Sequence, residues 1–90
     1  IKIGGETSQT TATYIEECFF YVKKTAIKIE KSYYTKVEGC MAINDSENSS
    51  ALFIDMTEKA IKLIYAYNYV QNLKNNLFFG SDGMNVKVEG

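Results

Sequence analysis

Several residue types that usually carry chemistry are missing from this chain. There is no His, which removes the commonest general base, the commonest metal ligand and any Ser-His or Cys-His pair. There is no Arg, so bidentate recognition of phosphate or guanine is unavailable, and the basic residues are ten Lys set against eleven acids. With a net charge of −1 and Lys interleaved with Glu, nucleic acid is not expected as a partner. Pro and Trp are absent, and the two cysteines, Cys18 and Cys40, fit no zinc spacing. The apolar-rich run from Leu63 to Leu73 is about half the roughly 20 residues of a membrane span. The chain opens on Ile1 and not Met, which fits trimming of this end. No catalytic group, cofactor site or metal site is expected, and the chain reads as a non-enzyme.

The 90 residues are 46% hydrophobic and 13% aromatic. They are read as one domain over 1–90, with residues 80–90 a flexible tail. Glycines fall near the start, at Gly39 and towards the end, leaving two long Gly-free segments. The first carries apolar residues at alternating three and four spacing: Ala12, Ile15, Phe19, Val22, Ala26, Ile29, Tyr33 and Val37. That spacing predicts a helix over about 8–38. Thr13 and Glu16 have capping-box spacing, and Gly39 is a natural stop. The rival reading is strand, since Ala26 to Glu30 alternates and Tyr33-Tyr34-Thr35 favours β structure. It requires a turn between residues 12 and 38, where no Gly, Pro or Asn-Gly signal occurs.

The polar stretch from Ala42 to Ser50 reads as a loop, and its two glycosylation tripeptides, at Asn44 and Asn48, read as chance. A second helix is predicted over about 49–78, with Phe53, Met56, Ala60, Leu63, Tyr67, Val70 and Leu77 on its seam. The expected fold is therefore all-α, an antiparallel two-helix hairpin. In a continuous first helix Cys18 and Cys40 would lie roughly 33 Å apart, too far for a disulfide.

A hairpin hides one stripe per helix. A further row, Phe20, Ile27, Tyr34 and Met41, and on the second helix Ile54, Ile61, Tyr65 and Tyr69, would stay exposed. These eight residues are the candidate partner interface. They imply a four-helix bundle formed with a second copy or with a helical partner.

Two long predicted helices, the turn tripeptide Val37-Glu38-Gly39, and Phe78 with Asp82 in an aromatic-x-x-x-acid pattern together resemble the small WxG-type helical hairpins of type VII secretion. The nearer likeness is to the small helical partners of LXG toxins in Gram-positive bacteria. Val37 stands where that group's namesake Trp would be, and Gly80 interrupts the Phe78 to Asp82 pattern. The resemblance implies a targeting factor that binds the helical N-terminal domain of a toxin in the cytoplasm. Phe78 and Asp82 would then offer a signal to the secretion ATPase, and both proteins would be secreted. The alternative is a phage- or virus-encoded small inhibitor that docks on a host protein through exposed apolar helix faces.

Overall fold

The chain folds into short strands, and none of the described residues forms a helix. The computed structural model describes residues 1–47, 49–77 and 86–89, the last four as backbone. Among the described residues eleven strands follow one another: β1 (Lys2–Ile3), β2 (Thr13–Glu16), β3 (Phe19–Tyr21), β4 (Thr25–Ile29), β5 (Thr35–Glu38), β6 (Met41–Ile43), β7 (Leu52–Met56), β8 (Leu63–Ala66), β9 (Tyr69–Gln71), β10 (Lys74–Asn76) and β11 (Val86–Glu89).

Each strand pairs, in parallel, with the strand three places on. The first sheet runs β1-β4-β7-β10, the second β2-β5-β8-β11 and the third β3-β6-β9. A chain that visits three sheets in rotation and always pairs in parallel is a three-sided solenoid. The register fixes its pitch. Thr13 pairs with Thr35 and Thr35 with Leu63, so successive turns hold 22 and 28 residues. The longer turn carries the polar loop after β6; the loop expected from Ala42 begins two residues too early, since Ala42 and Ile43 belong to β6.

The expected hairpin, its helices over 8–38 and 49–78, and the four-helix bundle built on them are thus corrected. The physical reason lies at the corner between the second and third sheets. There a two-residue turn reverses the alternation of inward and outward side chains. Ile15 points inward on β2, the chain turns at Glu17 and Cys18, and Phe20 and Val22 resume the inward row. Spacings of two within strands and three across the corner leave buried residues at 15, 22, 26, 29 and 37, which mimic a helical stripe. Phe19 and Tyr33, placed on the same predicted stripe, are 61% and 60% exposed.

The corner also explains the missing turn signal. Glu17, Gly39 and Tyr67 occupy the same place in three successive turns, and all have positive φ, at 52°, 67° and 55°. Only one of the three is Gly. A left-handed conformation costs a non-Gly residue about 1–2 kcal/mol, and here the ladders on either side hold it. Backbone bonds link each corner to the next: Glu17 N–H donates to the Glu38 carbonyl at 2.9 Å and Gly39 N–H to the Ala66 carbonyl at 3.0 Å. Asn side chains extend the ladder at the far end of the third sheet. Asn44 donates to the Val22 carbonyl at 2.6 Å and Asn72 to the Asn44 carbonyl at 2.8 Å, an amide stack of the kind parallel in-register chains favour.

Inside, the three sheets enclose one apolar column that includes Ile15, Ile27, Ile29, Val37, Phe53, Ile54 and Leu63. Phe53 is its centre, with ring centroids 5.9 Å from both Phe20 and Tyr65. Side chains stack on their counterparts one turn away, as Ile27 on Ile54 and Ile29 on Met56. A two-helix hairpin encloses almost no core; the solenoid buries much of the apolar excess that the composition carries.

Candidate functional site

The three outer faces differ in charge. On the first sheet Lys28 lies beside Asp55, Nζ to Oδ2 2.8 Å, and Asn76 donates to the other carboxylate oxygen at 2.8 Å. The Lys28 hydrogen bond holds the Asp55 carboxyl below the usual carboxylate range, against the opposing effect of burial and with help from Asn76. On the second sheet Lys36 sits 2.9 Å from Glu38 and 3.9 Å from Glu16, and the Glu38 contact raises the Lys36 ammonium above its ordinary value.

The third sheet has no charged residue in any of its strands: β3 is Phe-Phe-Tyr, β6 Met-Ala-Ile and β9 Tyr-Val-Gln. Its middle residues Phe20, Ala42 and Val70 pack towards the core. Its outer residues form two in-register rows across the turns, Phe19-Met41-Tyr69 and Tyr21-Ile43-Gln71. Phe19, Met41 and Tyr69 are 61%, 45% and 56% exposed. Successive residues within a row stand about 4.8 Å apart across the strands, so the rings and the thioether form a continuous apolar strip. The rim is polar. Glu17 lies at the corner before β3, Lys23 and Lys24 follow it, and Tyr21 O–H donates to Asp45 in the loop after β6. Tyr67, exposed at its corner, prolongs the strip on one side.

The eight residues expected to form a partner face are divided by this architecture. Met41 and Tyr69 stand outward on the third sheet, and Ile61 is exposed in the loop between β7 and β8. Ile27 and Ile54 are fully buried against each other, and Phe20 and Tyr65 line the core around Phe53. Tyr34 is half-buried edge-on to Tyr14 at 5.9 Å. Of the tripeptide read as the turn between helices, Val37 is buried and Glu38 ion-paired at the end of β5, and Gly39 follows with positive φ. Phe78 and Asp82 lie outside the described residues. Phe19, Tyr21 and Tyr67, also exposed on or beside the third sheet, were not among the eight, and the signal that would have grouped them is the repeat itself.

A cleft of about 210 Å³ opens elsewhere, lined by Gly5, Glu6, Glu30, Thr57, Glu58 and Lys59. It falls below the usual size of a small-molecule pocket. Glu30 Oε2 reaches Lys2 Nζ at 3.8 Å, an ion pair too long for a hydrogen bond. Among the described residues no group of three or more Cys, Asp or Glu is placed to hold a metal ion, and no helix is long and apolar enough to cross a membrane. Compared with models of protein families, with curated proteins and with solved structures, the chain matches none.

Proposed function

We propose that this chain is a non-enzymatic assembly module that binds a second copy of itself through the uncharged face of its third sheet. The observation that carries the reading is the pair of outward rows, Phe19-Met41-Tyr69 and Tyr21-Ile43-Gln71, without a charge among them. Interface centres are rich in Tyr, Phe and Met and poor in Lys, Glu and Asp, with polar groups at the rim. This face has that anatomy.

Charge supports a like partner. Two copies meeting through the third sheet oppose apolar side chain to apolar side chain. The first and second sheets instead present charges already paired within the chain, Lys28 with Asp55 and Lys36 with Glu38, which a second copy would have to desolvate. The six outward side chains make a patch of a few hundred Å², small for a stable complex, so the association is a weak one that grows with concentration. The partner role implied by the type VII resemblance has lost its two long helices as a basis. Protein binding passes from helix faces to a sheet face, and the same holds for docking on a host protein.

Light scattering coupled to size exclusion tests the reading. The mass should climb from one chain towards two as the concentration rises through the micromolar range. Met41→Lys should keep the wild-type circular dichroism and remain at one chain. A wild-type protein that stays at one chain throughout, or a Met41→Lys variant that associates like wild type, would overturn it.

A further inference from the structure

We propose that Cys18 and Cys40 form a redox-responsive pair that closes into a disulfide joining the first turn of the solenoid to the second. They are 22 positions apart in sequence, yet they occupy the same corner one turn apart. Glu16 pairs with Glu38 before them and Phe19 with Met41 after them, and Met41 N–H donates to the Cys18 carbonyl at 2.9 Å. In-register neighbours on parallel strands stand about 4.8 Å apart, inside the Cα separation of roughly 4.4–6.8 Å that a disulfide bridges. The helical expectation of roughly 33 Å between them is thereby reversed.

The thiols make matching contacts one turn apart, with Cys40 Sγ 3.6 Å from the Glu38 carbonyl two residues back. Cys18 Sγ lies 3.4 Å from the Glu16 carbonyl, and Cys40 Sγ reaches across the turn to the adjoining Ile15 carbonyl at 3.7 Å. Both thiols therefore sit over consecutive peptides of β2. The two positions differ in access, since Cys18 is half-buried and Cys40 is fully buried. In the third turn the equivalent residue is Asn68. Its side chain accepts from Cys40 N–H at 2.9 Å and donates to the Val37 carbonyl at 3.0 Å. The corner between the second and third turns is thus tied by an amide, while the corner between the first and second has two thiols in the same column.

The chemistry follows from the difference in access. The Cys18 thiolate attacks a low-molecular-weight disulfide, releasing one thiol and leaving a mixed disulfide on Cys18. The Cys40 thiolate then attacks the Cys18 sulfur and expels the second thiol. One external disulfide is reduced to two thiols, and two protein thiols become one disulfide. Burial pushes the Cys40 thiol up, and the neighbouring Cys18 thiol adds to the rise. The closing step is therefore the slow one at neutral pH and quickens in alkali.

The test incubates the full chain with oxidised glutathione. The denatured single chain should lose the mass of two hydrogens, and a non-reducing digest should join the peptide carrying Cys18 to the peptide carrying Cys40. The melting temperature should rise by about 10 °C and fall back with dithiothreitol. Cys40→Ala should retain a glutathione adduct on Cys18 and show no such rise. Wild-type thiols that stay reduced, a persistent adduct on wild type, or cross-links formed only between chains would each overturn the pair. Because the readout is the mass of one denatured chain, it is independent of whether two copies associate.

Discussion

The second and third sheets share a corner, a register and a core, yet their outer surfaces differ completely. Across the second, Lys36 bridges Glu16 and Glu38; across the third, Phe19, Met41 and Tyr69 stand in a row with no charge beside them. The interior treats the two sheets alike, with Val37 stacked over Ile15 on one and Ala42 beside Phe20 on the other. Folding requirements therefore account for the inward residues of both sheets but leave the outward ones free. A solenoid whose stability needed only a solvated exterior would carry charge on all three faces. The uncharged outer rows of the third sheet are what the proposed association rests on.

The largest expected effect removes what the faces share. Phe53→Ala empties the centre of the core beside Phe20 and Tyr65 and should cost about 3–5 kcal/mol, a large part of the stability of a domain this size. Denaturant unfolding should show it, and association should be lost with the fold.

A smaller effect separates the charged side. Asp55→Asn removes the ion pair with Lys28 but leaves the apolar rows untouched, and should cost about 0.5–1 kcal/mol because the pair is partly exposed. The Asp55 carboxyl is held below its ordinary value in the folded chain. Its contribution is therefore present above the unfolded carboxyl pKa of about 4 and is lost as pH falls through the lower folded value. Thermal melts across the acid range should show that loss in wild type and a flatter limb in the variant, with the proposed association at neutral pH unchanged.

The smallest effects lie at the corner joining the two faces. Glu17→Gly relieves a left-handed residue and should stabilise by about 0.5–1 kcal/mol. Gly39→Ala meets its nearest neighbour, Glu17 Cγ, at an ordinary 3.5 Å, so only its backbone conformation should count, and about 1 kcal/mol should be lost. Opposite signs at stacked positions, read by chemical denaturation, would sharpen the case that these residues form one column.

Parts of this architecture were legible in the sequence. The polar loop after β6, the Gly39 turn and the excess of apolar surface stood out, and Ala26 to Glu30 alternated as a strand should. The rest was masked for a physical reason. The corners use Glu17 and Tyr67 where a turn signal would be Gly or Asn, and the shift in parity at each corner turned a period of two into an apparent period between three and four. The repeat was visible by another route. Thr13 to Val22, Thr35 to Asn44 and Leu63 to Asn72 align residue for residue, with Glu17, Gly39 and Tyr67 over one another and Cys18, Cys40 and Asn68 beside them. Unequal turn lengths of 22 and 28 residues hid it from any search at a fixed period. The charge-free face could be recognised only once the repeats were stacked, because Phe19, Met41 and Tyr69 are far apart along the chain.

The most direct test places the same substitution on each of the two faces. Tyr69 and Tyr14 are similarly exposed, 56% and 64%, and differ chiefly in the sheet they stand on. Sedimentation equilibrium would compare the dissociation constants of Tyr69→Lys and Tyr14→Lys with that of wild type, after circular dichroism confirms both folds. The expected result is a weakening of about thirtyfold or more for Tyr69→Lys, the scale of an interface hot spot, against a change of no more than about twofold for Tyr14→Lys, as for a residue outside the contact. Equal effects from the two, or a larger one from Tyr14→Lys, would contradict the assignment of the third sheet as the face of association.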